Sequence, residues 1–449
     1  MRGRLAAVAF ALLVLAPLAL AEWLQPDASY RDAQFLLRQA VRDTMGHGDD
    51  PVRLDTLGVA LLALGHFDEA RAAFGRVLAA QPKDDAALAA FGKLALFADR
   101  ASEAESLLSL AAAGPLPEPA VLNDLYAARL RQGRFAAAAT LAPQVGEQGR
   151  VPLLEYLAEH PPYVVTSGPE VARAPWAKGY PLPLLRAKLG GQSVLMALDT
   201  GTNDLILDPT YARQAGAKDI PARSLVFWDG SRIAVEHAIV PRLELGGVIL
   251  RDLPAGVVGL RQWSQMINPR AEPIAGVIGL GVLRRFTPTI DYQKQTLELR
   301  KPGLPYPAGP GAHRIPFEIW GEADLTVYGS LNGGRRMALI VQSGLPACGV
   351  GAPLEVLSEV GVKPGKMSKV LKGAGTVLQG APWAGVTVPT VTVGPLVRTK
   401  VSGWAGALDD AELWRHGVRR DGILSHDFFK DQRVTIDWQK HELVVEGKN

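Results

Sequence analysis

Two stretches of the chain repeat one layout at a spacing of 146 residues. Gly276-Val277-Ile278-Gly279 leads to Thr289-Ile290-Asp291-Tyr292-Gln293-Lys294 and then to Leu297-Glu298-Leu299. Later, Gly422-Ile423-Leu424-Ser425 leads to Thr435-Ile436-Asp437-Trp438-Gln439-Lys440 and then to Glu442-Leu443-Val444. A doubled layout restricts this part of the chain to two related lobes in tandem. Both are β-rich. Residues 182–198, 224–235 and 239–259 carry apolar alternation broken at Asp229-Gly230 and Gly246-Gly247, dipeptides that two-residue hairpin turns favour. Lys301–Gly311 holds four prolines and three glycines, which favours an extended connector over a packed element. The expected division is a first lobe at 161–301, a linker at 302–311 and a second lobe at 312–449.

A different period governs the preceding residues. Ala70, Ala104 and Ala138 stand 34 residues apart, as do Gly58 and Gly92. Within 51–84, Gly58, Gly65, Phe67, Ala70, Phe74 and Pro82 place small residues where two antiparallel helices would touch and large ones in the groove between them. This resembles the tetratricopeptide repeat. One good unit is expected at 51–84, a degenerate one at 85–118 and a partial one at 119–150, preceded by a helix near 28–46. The expected fold class is therefore multidomain α plus β, with α-helical tetratricopeptide-like hairpins over 22–160 and then an all-β bilobal part. Stacked units of this kind bury a face that none can bury alone. Two readings stay open for them: a groove for a protein partner, or a helical spacer packed on the next domain.

Arg2 and Arg4 precede an apolar run, Leu5 to Ala21, that ends in small residues before Glu22. A basic start, a short apolar core and a small-x-small end form an export signal, so residues 1–21 are expected to be a cleaved leader. Interrupted by Pro17, the run is short for a membrane span. The mature protein is then expected outside the cytoplasm, periplasmic or secreted, with no membrane span. Forty-eight basic against 45 acidic residues leave the chain near neutrality, so no charge argument favours a nucleic-acid partner. Cys348 is the only cysteine, which rules out an intrachain disulfide and a cysteine-rich metal site. The histidines show no zincin spacing, and neither a phosphate loop nor a serine-hydrolase elbow is present.

The chemistry converges on one aspartate. Leu195-Met196-Ala197-Leu198 runs as an apolar strand into Asp199-Thr200-Gly201-Thr202. A carboxylate at the end of a buried strand is costly unless hydrogen bonds hold it. Gly201 lets backbone approach closely, and the hydroxyls of Thr200 and Thr202 are expected to fix loop and carboxyl. With Val277-Ile278-Gly279 downstream, a Thr-Ile-Asp-Tyr closing strand and the duplication, this resembles the retropepsin-like aspartic peptidases of bacteria. The resemblance covers about 175–300 and 312–449. It implies a pepsin/retropepsin-like pair of lobes, each giving one aspartate to a cleft covered by hairpin flaps, and a peptide or protein substrate. It also implies amide hydrolysis by two carboxylates that share a proton and activate water, with no metal or organic cofactor.

The second lobe departs from that pattern. Its loop should follow Met337-Ala338-Leu339-Ile340-Val341, where Gln342-Ser343-Gly344-Leu345 stands; Ser425 also replaces the glycine matched by Gly279. Glutamine cannot share a proton as a carboxylic acid does, and its length is expected to crowd the dyad. Three readings follow: a homodimer that rebuilds two aspartates, a single-chain peptidase in which another group substitutes, or a pseudopeptidase that binds peptide as an adaptor without cutting it. Trp228-Asp229-Gly230 reads as a flap tip closing on substrate, or equally as a surface hairpin. Gly373-Ala374-Gly375 would be its counterpart. Asp291 and Asp437 are expected to be structural, and Cys348 a small buried apolar residue.

Overall fold

The computed structural model of the chain describes residues 30–45, 50–114, 116–228, 231–267, 272–365, 384–406, 408 and 414–447. The leader expected at 1–21, Asp229-Gly230 and Gly373-Ala374-Gly375 lie outside these residues. The described residues fall into two compact units, one within 1–96, 102–125 and 410–419, the other within 97–101, 126–409 and 420–449.

The first unit contains helical hairpins. Asp50, in extended backbone, accepts the Val52 N–H at 3.1 Å and caps helix Pro51–Ala63, whose first residue is a proline. Gly65, at φ 77°, takes the left-handed conformation that ends the helix and turns the chain into Phe67–Ala80. The periodic glycines lie where the helices touch. A Cβ on Gly58 would sit 2.8 Å from the Phe74 ring, and one period later a Cβ on Gly92 would sit 2.6 Å from Leu108. Small residues therefore set the approach of these two helix pairs. Ala70 and Ala104 of this unit are fully buried, as is Ala138, which belongs to the second.

The second unit carries the doubled part of the sequence as two closed six-stranded barrels. In the first, Gln192–Leu198 runs parallel to Ile274–Ile278, which is antiparallel to Leu205–Leu207. That strand runs parallel to Val248–Val257, which pairs antiparallel with Ser231–Leu245; Leu184–Leu189 then closes the ring antiparallel to both its neighbours. The second barrel has the same order and sense. Met337–Val341 runs parallel to Gly422–Leu424, then Val350–Ala352 antiparallel, Leu396–Ala405 parallel, Ala384–Val393 antiparallel and Asp324–Leu331 closing the ring. Closure leaves few free edges, and each ring encloses its own apolar core, with Leu198 and Ile278 in one and Val341 and Leu424 in the other.

The repeated closing strands join the barrels. A six-stranded sheet runs His313–Pro316, Glu442–Gly447, Gln432–Asp437, Thr287–Asp291, Thr296–Arg300, Val171–Pro175. At its centre Thr289 pairs with Thr435, the residue 146 positions later, and their buried hydroxyls meet at 2.8 Å. The sheet is thus built of two equivalent three-stranded halves about that pair. Asp291 accepts the Lys294 N–H, and Asp437 accepts those of Gln439 and Lys440, so both aspartates hold the turns that follow their strands. The proline-rich connector forms no strand or helix between Arg300 and His313. It is pinned along 432–447 by Tyr306 Oη to Asp437, Arg433 to the Pro307 carbonyl, and the Gly309 N–H to Glu446.

The fold is α plus β: helices over 30–160, then an all-β part of two barrels and a shared sheet. Among the described residues no helix is long and apolar enough to cross a membrane.

Candidate active site

Strand Gln192–Leu198 lies between two neighbours and has its last five residues buried, so it delivers the next residue to a fixed place. Its end is tied down when the Asp199 N–H donates to the Ile278 carbonyl at 3.1 Å. The second barrel does the same: Met337–Val341 is wholly buried, and the Gln342 N–H donates to the Leu424 carbonyl at 2.9 Å. The two loops then meet face to face.

Four hydrogen bonds lock them together in matched pairs. The Thr200 N–H donates to Ser343 Oγ at 3.0 Å, and the Ser343 N–H donates to Thr200 Oγ1 at 3.1 Å. Thr200 Oγ1 in turn donates to the Val341 carbonyl at 2.8 Å, and Ser343 Oγ to the Leu198 carbonyl at 3.0 Å. Each hydroxyl accepts once and donates once, as a buried hydroxyl requires. The expectation that Thr200 would hold the carboxyl is corrected here. Its hydroxyl crosses to the opposite loop, where it meets the buried Ser343 N–H and the Val341 carbonyl.

The carboxyl is held by backbone instead. Asp199 Oδ1 accepts the N–H of Gly201 at 2.8 Å and, from the opposite loop, the N–H of Gly344 at 3.0 Å. The Gln342 side chain, across the junction, adds a further stabilising influence on the charged form. Both glycines are required by space. A Cβ on Gly344 would lie 2.4 Å from Asp199 Cγ, and a Cβ on Gly201 would lie 2.3 Å from Gln342 Cγ. Glutamine therefore fits the position opposite Asp199 without crowding it, because the facing residue has no side chain. Asp199 is 8% exposed. Burial pushes its carboxyl above the usual carboxylate range, while the Gly201 and Gly344 bonds and the Gln342 side chain pull it part of the way back. The elevation that a second aspartate would supply by like charge comes here from desolvation.

Thr202 backs the loop through its carbonyl, which accepts the Leu280 N–H at 2.8 Å. Gly279 passes so close that a Cβ would lie 2.6 Å from the carbonyls of Thr202 and Asp204. Ser425, its counterpart, is tolerated because the second loop offers an acceptor there: Ser425 Oγ donates to the Leu345 carbonyl at 3.4 Å. Trp228 ends the ladder of hairpin Lys218–Trp228/Ser231–Leu245, pairing with Ser231. Asp229 and Gly230 lie outside the described residues. The hairpin is braced at its root, where Ile220, Ala222 and Ile239 pack on Leu153 and Leu157 of helix Val151–Glu159. Cys348 is fully buried and its thiol pushed up by that burial, unlike a reactive thiolate.

The sequence marks Asp199, Gly201 and the Gln342 loop, and the structure brings them together. What it leaves unmarked is the Gly344 N–H as a donor to Asp199 and the reciprocal role of Thr200 and Ser343. The signal is the constant offset of 143 residues that separates Thr200 from Ser343 and links Gly344 to Asp199 two residues out of register.

Residues 185–282 match the model of a family described as Aspartyl protease. The match begins in strand Leu184–Leu189, contains the Asp199 loop and extends past Ile278, so it spans most of the first barrel and none of the second. No curated protein matches the chain.

Proposed function

We propose that this protein is an exported peptidase of the aspartic type, with Asp199 as the base that activates water against a peptide bond. The observation that carries the reading is the setting of Asp199. Its carboxyl stands at a locked junction of two barrels, held by two backbone N–H groups from opposite loops and raised above the ordinary carboxylate range by burial. A general base works best with a pKa near the working pH. The aspartyl-protease match over the same segment supports the chemical class. Export is proposed from the basic, then apolar, N-terminal run. The single-chain version is favoured over a rebuilt homodimer, because the Asp199 loop is already bonded on both sides to the chain's own Gln342-Ser343-Gly344, which a second copy would have to displace.

Gln342 favours one alternative, a pseudopeptidase that grips extended peptide as an adaptor, with the helical hairpins as a second contact for a protein partner. The two are separated by incubating the mature protein with an unfolded protein substrate from acidic to neutral pH and mapping new termini by mass spectrometry, beside Asp199→Asn. New termini made by the wild type and absent with Asp199→Asn support the enzyme. Peptide binding with no new termini at any pH supports the adaptor.

A further inference from the structure

Gln342 stands where a proton-sharing partner of Asp199 would be needed, yet it is placed as carefully as the aspartate. Its N–H is bonded to Leu424 and its stem lies in the space left by Gly201, as the Asp199 carboxyl lies in the space left by Gly344, and its side chain favours the charged form of that carboxyl as a hydrogen-bond donor does. An ionised carboxylate only accepts, so the group facing it must be the amide Nε2–H₂. That nitrogen carries two hydrogens, and one bond to Asp199 leaves the other.

We infer that Gln342 is a catalytic residue whose Nε2–H hydrogen-bonds to the oxygen of the scissile carbonyl as negative charge develops there, in place of a second carboxylic acid. This rests on the peptidase reading above. The Asp199 carboxylate takes a proton from water as the water oxygen bonds to the carbonyl carbon, and the π pair moves onto the carbonyl oxygen, where Gln342 Nε2–H stabilises it. When the carbon–nitrogen bond breaks, protonated Asp199 gives that proton to the leaving nitrogen and returns to its starting state. One carboxylate therefore serves as base and then acid. The amide supplies only a hydrogen bond, which no change of pH between about 3 and 8 removes.

The test measures kcat and KM on a quenched-fluorescence peptide from pH 3 to 8 for wild type, Gln342→Met, Gln342→Glu and Asp199→Asn. Methionine keeps the bulk and removes the donor. Loss of an oxyanion donor lowers kcat about 10²–10³-fold, so Gln342→Met is expected to lose that much with KM within about threefold. The wild-type profile is expected to show one acidic ionisation, rising with pH to a plateau, and Gln342→Glu to add a second and turn it into a bell. Gln342→Met retaining kcat within about threefold overturns the inference while leaving Asp199 as base. A wild-type profile that already shows two acidic ionisations also overturns it, even where the methionine variant does not fold. Absence of wild-type cleavage, or cleavage that survives Asp199→Asn, overturns the peptidase reading and this one with it.

Discussion

Thr200→Val removes one hydroxyl and keeps the shape of the side chain, so it isolates half of the lock between the loops. Thr200 Oγ1 accepts the Ser343 N–H and donates to the Val341 carbonyl, and Thr200 and Ser343 are 1% and 3% exposed. Water therefore does not replace the lost partner. An orphaned buried polar group costs about 1–3 kcal/mol, so two cost about 2–6 kcal/mol. Because the chain has two units, a single global melt would blend their transitions. Amide exchange read by mass spectrometry on peptides covering 192–202 and 337–345 reports the junction itself. A fall of 2 kcal/mol in the free energy of opening corresponds to about 30-fold faster exchange, so at least that is expected in both peptides. Thr200→Ser keeps the hydroxyl and is expected to cost only the buried methyl, about 1 kcal/mol. Ser343→Ala should match Thr200→Val, and the double variant should cost less than the sum, since either change opens the same junction. Exchange within about threefold of wild type in Thr200→Val, or strict additivity, would refute the reasoning.

Three further outcomes follow from the same structure. Gly201→Ala would put a Cβ 2.3 Å from Gln342 Cγ and Gly344→Ala one 2.4 Å from Asp199 Cγ; overpacking of this kind costs about 1–3 kcal/mol, and both should abolish cleavage while circular dichroism stays native-like. Thr289→Val or Thr435→Val alone orphans a buried hydroxyl, whereas the double valine orphans none, so calorimetry should find the double variant less destabilised than either single one. Asp55, 5% exposed in helix Pro51–Ala63, is pushed up to about 7 by burial and by the Asp84 and Glu118 charges. Its native form thus holds a proton that the unfolded chain gives up near pH 4, so stability should fall as pH rises from about 4 through about 7. Asp55→Asn should stabilise helix Pro51–Ala63 at pH 8, read as slower amide exchange in its peptides, and leave it nearly unchanged at pH 4, with a gain at pH 8 on the order of 2–4 kcal/mol.

The doubling was legible because pairing is local in register. Repeating Thr-Ile-Asp at 289 and 435 fixes which strands are equivalent, and the sheet places Thr289 against Thr435. The Asp199 loop was legible because a buried apolar strand that ends in a carboxylate needs backbone donors close by, and the glycine two residues on is what lets them approach. The lock itself was not, since Thr200 and Ser343 come together only after two barrels have closed, and nothing near either residue indicates which backbone groups its hydroxyl will meet. Glutamine at 342 reads from sequence as a lost carboxylate that crowds its neighbour. The space that admits it belongs to Gly201, far away in the chain. The helix brace at Leu153 and Leu157 was hidden for the same reason: apolar helix positions show that a face is covered, not what covers it.

The most direct measurement is kcat/KM for hydrolysis of one peptide by wild type and by Asp199→Asn, prepared alike and shown to share the same exchange pattern at the loop junction. A general base contributes about 10²–10⁴-fold, so the asparagine variant should fall by at least a hundredfold at every pH where wild type cuts. Equal hydrolysis by the two would remove Asp199 from the chemistry.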